Sequence, residues 1–234
     1  MQKLRIKFSK EGGARYISHL DLMRTMERAL RRANLQLAFS EGFNPHPKIS
    51  FASALSLGVE SEAEYLDVDL EKPTSTTDLK DRLNGCLPGG IRVSEVEEVK
   101  DKAGAAMSLV EGAAYQISGR TTQEWSRDKW IEVLEGLLSQ KEIQIQREGK
   151  KGLREVDIAP LLLGLELREL AGSYFSLSLL VRSGSRGNVR AEEMLQALEK
   201  YYHLPLDQEA IRIKRTGLYK EDKGQLVPLI SLGN

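Results

Sequence analysis

The sequence predicts an α+β protein built of two ferredoxin-like βαββαβ units, each an antiparallel sheet with its helices on one face. Three observations predict it. Across residues 1–100 the apolar period switches between strand-like and helix-like in the order strand, helix, strand, strand, helix, strand. Residues 113–216 pass through a similar order, with no residue-level repeat of the first half. Between them, residues 101–112 (DKAGAAMSLVEG) are small and weakly periodic, which reads as a linker. Residues 217–234 read as a C-terminal tail.

In the first unit, Leu4, Ile6 and Phe8 alternate with Arg5, Lys7 and Ser9 as a half-buried strand that Glu11-Gly12-Gly13 ends. Ser18 is a good N-cap, and Asp21 sets a carboxylate near the first-turn amides. No Gly or Pro follows until after Ala33, so a helix is expected there. At about 100° per residue, Leu22, Met23, Met26, Ala29, Leu30 and Ala33 share the inward arc. Arg24, Arg28, Arg31 and Arg32 fall on the opposite arc. Residues 35–39 read as a second short strand and residues 49–55 as an extended return, with a proline loop between them. Residues 64–71 alternate with Leu66, Val68 and Leu70 inward and Tyr65, Asp67 and Asp69 toward solvent. After Pro73, Ser75 or Thr76 caps a helix whose stripe is Leu79, Leu83 and Leu87; Gly89-Gly90 stops it before a strand at 91–96.

The second unit begins with a strand at 114–118 and a helix at 124–138 that turns Trp130, Val133, Leu134 and Leu137 inward. Ile143 and Ile145 mark the next strand, and residues 150–154 a basic turn. Pro160 argues against a central strand at 156–163. Residues 163–170 and 173–181 pair as a hairpin across Ala171-Gly172. Asn188 caps a helix through Tyr202, and Ile211 with Ile213 forms the last strand.

The chain has 234 residues, 41% hydrophobic and 29% charged, so it is long enough for a sizeable core. Its formal net charge is zero, but the charge is unevenly placed. Residues 1–56 carry ten Lys/Arg against four Asp/Glu, and residues 57–110 carry six against twelve. A neutral chain can thus present a local cationic patch. The single cysteine, Cys86, excludes an internal disulfide, a cysteine-rich zinc site and a self-contained iron–sulfur cluster. No signal peptide and no bilayer-length apolar run are present, so the cytoplasm is the expected location, with no membrane partner.

The chemistry concentrates between Arg15 and Lys48. In the loop Gly42-Phe43-Asn44-Pro45-His46-Pro47, Gly42 permits a sharp turn while Pro45 and Pro47 stiffen the frame. Phe43, Asn44 and His46 then stand as a recognition loop: Phe43 to stack a base, Asn44 and His46 to read polar edges. Arg15, Arg24, Arg28, Arg31, Arg32 and Lys48 supply phosphate contacts. Ser18, Asp21, Gly42, Pro45 and Pro47 are structural in this reading. The blander reading is a solvated arginine face beside a proline turn.

Tyr16, Ser18, His19 and Asp21 at the helix start, with His46, form an alternative constellation. A histidine at a helix N-terminus suits a general base, and His19, His46 or Tyr16 would then cleave RNA at a ribose 2′-hydroxyl. Two histidines from distant segments are a weak metal signal, so no metal is assigned. A second candidate is 182–190 (RSGSRGNVR). There Gly184 and Gly187 free the backbone, Arg182, Arg186 and Arg190 supply charge, and a helix N-terminus follows. It lacks P-loop spacing and the P-loop lysine, and a flexible connection explains it equally. Asp67 and Asp69 read as a solvated face or as partners for the arginine row.

The motifs Arg15-Tyr-Ile-Ser-His-Leu-Asp21, Arg28-Ala-Leu-Arg-Arg-Ala33 and Ser40-Glu-Gly-Phe-Asn-Pro-His-Pro47 resemble the radical-SAM-associated (radical-SAM-linked) domain family of uncharacterised bacterial proteins. The matching positions are Arg15, Ser18, His19, Asp21, Arg24, Arg28, Arg31, Arg32 and Gly42 through Pro47. The resemblance implies a domain fused to, or encoded beside, a radical SAM protein that often carries a B12-binding region. It implies no activity of the chain's own and no catalytic residue. S-adenosylmethionine, the iron–sulfur cluster and cobalamin are expected on that separately encoded partner, because this chain lacks the three clustered cysteines. A looser, fold-level likeness is to CRISPR repeat-processing endonucleases. The expected function is therefore an accessory module that binds RNA, or an RNA-bound substrate, for a radical SAM enzyme. The alternatives are a metal-independent RNA endonuclease, or a protein-interaction module docking on the radical SAM chain.

Overall fold

Apolar alternation and helix caps decide most of the first unit of the computed structural model, which describes residues 1–100, 103–149 and 152–230. That unit comprises Met1–Glu111 together with the chain from Gly217 onward. Strand β1 (Gln2–Lys10) buries Leu4, Ile6 and Phe8 completely and lies antiparallel between β3 (Glu60–Leu70) and β4 (Ile91–Glu98). The short β2 (Ile49–Phe51) pairs antiparallel with the other edge of β3, so the order is β4-β1-β3-β2. That is the ferredoxin-like order, with α1 (His19–Arg32) and α2 (Thr76–Asn84) as its two crossovers. Leu22, Met26, Ala29 and Leu30 of α1 and Leu79 and Leu83 of α2 join Leu4, Ile6, Phe8, Leu66, Val68 and Leu70 in one core. Each such leucine or phenylalanine contributes about 1.5–3 kcal/mol by leaving water. Met23, expected inward, sits on the flank of the arc and is exposed. A 3-10 turn, Gly12–Tyr16, links β1 to α1. Gly90, with φ +85°, lies so close that a Cβ there would fall 2.5 Å from the Glu11 carbonyl oxygen.

The second strand differs from expectation in an informative way. Residues 35–39 make only isolated bridges, Leu37 to Leu70 and Phe39 to Pro47. Ile49 then faces Val68, the place residue 39 would hold in an unbroken strand. The edge strand starts at Leu37, leaves the sheet as the proline loop, and resumes as β2. Two prolines and Gly42 prevent the intervening residues from continuing the ladder.

The face expected to carry solvated Tyr65 and Asp67 is also covered. Asp67 is buried and takes a bidentate contact from Arg5, with Nε–Oδ1 at 2.8 Å and Nη2–Oδ2 at 3.0 Å. The covering segment lies in what the sequence suggested was a linker. Arg5 Nη2 also donates to the Gly104 carbonyl at 2.9 Å, and the Ala106 amide donates to Asp67 at 2.8 Å. Ala106 opens a short helix, α3 (Ala106–Leu109), and Ala106 and Val110 are buried. Residues 101 and 102 of the expected linker lie outside the described residues.

The second unit is Gly112–Thr216. It contains β5 (Gly112–Arg120), α4 (Arg127–Ser139), β6 (Gln144–Gly149), β7 (Gly152–Asp157), β8 (Leu162–Ala171), β9 (Tyr174–Gly184), β10 (Gly187–Asn188) and α5 (Ala191–Tyr202). β9 lies antiparallel between β5 and β8, and β10 turns back onto the end of β9. β11 (Arg212–Asp222) follows β5 in the order, which repeats the ferredoxin-like plan with β8 as second strand. The strand around Ile143 and Ile145 belongs instead to a separate two-stranded sheet, β6 with β7. In place of the basic turn expected at 150–154, residues 152–154 belong to β7, while 150 and 151 lie outside the described residues.

Helix α4 starts after Ser126, whose hydroxyl accepts the Lys129 amide at 3.3 Å, so Trp125 packs edge-on against Trp130. Helix α5 starts after Arg190 rather than Asn188. Beyond Thr216 the chain is ordered rather than a tail: β11 continues to Asp222 and pairs with β12 (Gln225–Pro228), while residues 231–234 lie outside the described residues. Among the described residues, no helix is long and apolar enough to cross a membrane.

Candidate functional site

Helix α1 begins as its sequence dictates. The Ser18 hydroxyl oxygen accepts the Asp21 amide at 3.2 Å and its proton goes to Asp21 Oδ2 at 2.8 Å. His19 lays its ring edge-on against Phe51, 5.4 Å between centroids, so it serves packing between helix and β2. Ahead of the helix, Arg15 stacks on the Tyr16 ring at 4.8 Å and reaches Glu60 at 3.5 Å. These groups sit at one end of α1. By helical rise, His19 and Arg31 are about 18 Å apart along the axis.

The four arginines of the outward arc have separate fates. Arg28 is exposed and has no partner among the described residues. Arg24 approaches Asp21 at 3.5 Å and Arg31 approaches Glu27 at 2.8 Å, both exposed pairs within the helix. Such pairs contribute about 0.3–0.5 kcal/mol, so they leave both guanidiniums available to a stronger anion. Arg32 is withdrawn. Its guanidinium donates to the Cys86 carbonyl just beyond α2. In return Arg82 of α2 donates from Nε to the Ala33 carbonyl at 2.9 Å and from Nη2 to Asn34 at 2.8 Å. Each helix thus has a carbonyl at or just beyond its C-terminal end bound by the other's arginine.

The loop closes on itself in rungs. Lys48 donates its amide to Ala38 at 2.8 Å, Phe39 faces Pro47, and the Ser40 amide donates to the His46 carbonyl at 2.9 Å. The Ser40 hydroxyl oxygen accepts the His46 amide at 3.1 Å and lies 3.0 Å from Nδ1, which leaves Nε2 for the solvent. Gly42 takes φ +113°, and above it Asn44 and His46 are exposed. Phe43 is 106% exposed, so nothing among the described residues shelters it. Lys48 is half-buried, and its carbonyl accepts the Asp69 amide at 3.1 Å.

One contact joins this loop to the arginine row: the Arg31 guanidinium lies over Phe39, 5.7 Å from the ring centroid. Sequence reasoning missed Phe39, because Leu35 and Leu37 are buried and alternation assigns Phe39 to their face. Departure of the chain from the sheet at Ala38 frees the ring. Two acids of the neighbouring strand are engaged elsewhere: Asp67 is bound by Arg5, and Glu60 by Arg15.

Arg182, Arg186 and Arg190 belong to the second unit. The helix N-terminus that a phosphate would use there is taken by Glu193. Its carboxylate accepts the Arg190 amide at 2.9 Å and the Arg147 guanidinium at 2.6 and 2.7 Å. Gly187 takes φ +139°, a conformation that L side chains rarely adopt, and lies against the Leu161 methyl groups. Among the described residues, no three His, Cys, Asp or Glu side chains approach closely enough to hold a metal ion.

A family model described as an uncharacterized protein conserved in bacteria (DUF2344) matches residues 3–191. No curated protein matches the chain. Among solved structures, a chain of a Cbf5–Nop10–Gar1 complex is similar, with TM-score 0.51 and 15% identity over 94% of this chain. A chain of an H/ACA RNP bound to a substrate RNA containing 2′-deoxyuridine gives TM-score 0.49 and 17% identity, again over 94% of this chain. A chain of the archaeal box H/ACA sRNP Nop10–Cbf5 complex gives 0.47 and 15% over the same share. This chain spans about half the length of each, 50%, 49% and 50% respectively. At such identity the first likeness supports the α+β fold alone.

Proposed function

We propose a function on the premise that the chain belongs to the bacterial family just described: it is an accessory module that binds RNA, or an RNA-bound substrate. In this reading it acts in the cytoplasm and presents that RNA to a radical SAM protein. The partner carries the S-adenosylmethionine, iron–sulfur and cobalamin chemistry, for which this chain's single cysteine is insufficient. Arg24, Arg28 and Arg31 hold phosphates, and the loop carrying Phe43, Asn44 and His46 lies beside them. The carrying observation is the placement of Arg31 over Phe39, at the neck of that loop.

A hydrolytic role for the histidines has less support. His46 Nδ1 is engaged by Ser40, and His19 packs on Phe51 at the far end of the helix.

Fluorescence anisotropy with cellular RNA tests the reading. Binding should be measurable at low salt and fall steeply as salt is added, with Arg28→Ala plus Arg31→Ala reducing both affinity and salt slope. No binding at low salt, or an unchanged double variant, removes the proposal. A pull-down from nuclease-treated lysate that retains the radical SAM protein without RNA would favour a protein-docking role.

A further inference from the structure

The loop is built to hold an apolar ring in water. Phe43 contacts nothing among the described residues, yet its frame is fixed by two prolines, the Ser40–His46 clasp and the Lys48–Ala38 neck. A flexible tip would fold its ring back onto the protein; this one is denied that choice. At the neck stands a second aromatic element, Phe39 with the Arg31 guanidinium over it. The two residues are four positions apart in the chain, so their Cα atoms lie at most about 14 Å from each other.

We infer that the loop takes an unpaired stretch of RNA, with one base stacked on Phe43 and a neighbouring base on the Arg31–Phe39 element. The inference rests on the RNA reading above and narrows it to single strands. Inside a duplex both faces of every base are covered by neighbours, and exposing one costs a few kcal/mol of stacking. An unpaired segment offers those faces freely, to aromatic rings and guanidinium planes alike. The exposed His46 Nε2 and the Asn44 amide stand on the same frame to meet base edges. Arg24 and Arg28, further along the crest of α1, meet the strand's phosphates.

The test compares a labelled ten-nucleotide oligouridine with an RNA duplex of the same length, at low salt, by fluorescence anisotropy. Wild type should bind the single strand at least ten-fold more tightly. Phe43→Leu should weaken single-strand binding about five-fold or more and leave duplex binding unchanged. Phe39→Leu should act in the same sense. Equal or tighter binding of the duplex, or a Phe43→Leu variant that behaves as wild type, overturns the inference while leaving the broader RNA reading standing. Binding of neither RNA form removes both. Phe43 supports nothing in the fold, so an unchanged amide spectrum of Phe43→Leu away from residues 40–48 verifies that the variant remains folded.

Discussion

Arg31 sits over Phe39 at 5.7 Å, and Phe39 in turn faces Pro47 across the neck of the loop. A cation over an exposed ring contributes only about 0.5–1 kcal/mol. Its importance here is positional. It places the C-terminal half of the arginine crest beside a stiff loop that would otherwise be an independent feature of the surface.

Glu27 competes for that crest. Its carboxylate holds Arg31 at 2.8 Å in an exposed pair. Glu27→Gln should therefore strengthen RNA binding about two-fold at low salt, an advantage that fades as salt screens it. Anisotropy at two salt concentrations reads this directly, and weaker binding by the variant would contradict it.

Arg32 and Arg28 should separate cleanly. Arg32 caps the end of α2 through the Cys86 carbonyl, whereas Arg28 has no partner among the described residues. Arg32→Ala and Arg82→Ala should each lower unfolding free energy by about 1–2 kcal/mol. RNA affinity of Arg32→Ala should stay near wild type while that of Arg28→Ala falls. Urea melts and anisotropy on the same preparations check both halves.

The buried pair of Arg5 and Asp67 should dominate the stability of the first unit's covered face. Asp67→Ala leaves a buried guanidinium without its counter-charge and frees the Ala106 amide. The expected loss is about 3–5 kcal/mol. A loss below about 1 kcal/mol in denaturant unfolding would show that the 103–110 segment does not depend on this pair.

Tyr65 gives the alkaline limb of stability its direction. Burial pushes its phenol above the ordinary value, the Glu95 and Tyr219 charges push it the same way, and Arg5 opposes. A raised folded value means that the fold favours the neutral phenol. The contribution is complete below about pH 10 and declines as pH rises above it. Tyr65→Phe should flatten that decline in unfolding free energy above about pH 10.

The ferredoxin-like plan was legible because β1, α1, β3 and α2 bury one clean stripe each, and a stripe is a periodic signal. Ser18, Ser75 and the outward arginines were legible for the same local reasons. What escaped were long-range choices. Leu35, Leu37 and Phe39 alternate like a strand, but the loop's prolines take the chain off the sheet after Ala38. Asp67 looked solvated because alternation cannot say whether a second layer covers the outer face. The residues that cover it, Gly104 and Ala106, are small and aperiodic. At 182–190 the sequence did not show that Glu193 occupies the helix N-terminus, its carboxylate capping its own helix and binding an arginine forty-six positions away.

The most direct measurement is an amide chemical-shift titration of the labelled protein with the ten-nucleotide oligouridine. A composite site predicts that amides of Arg24, Arg28 and Arg31 and those of the non-proline residues from Phe39 to Lys48 shift together, along curves that fit one dissociation constant. Shifts confined to either the helix or the loop, or two unrelated constants, would contradict it.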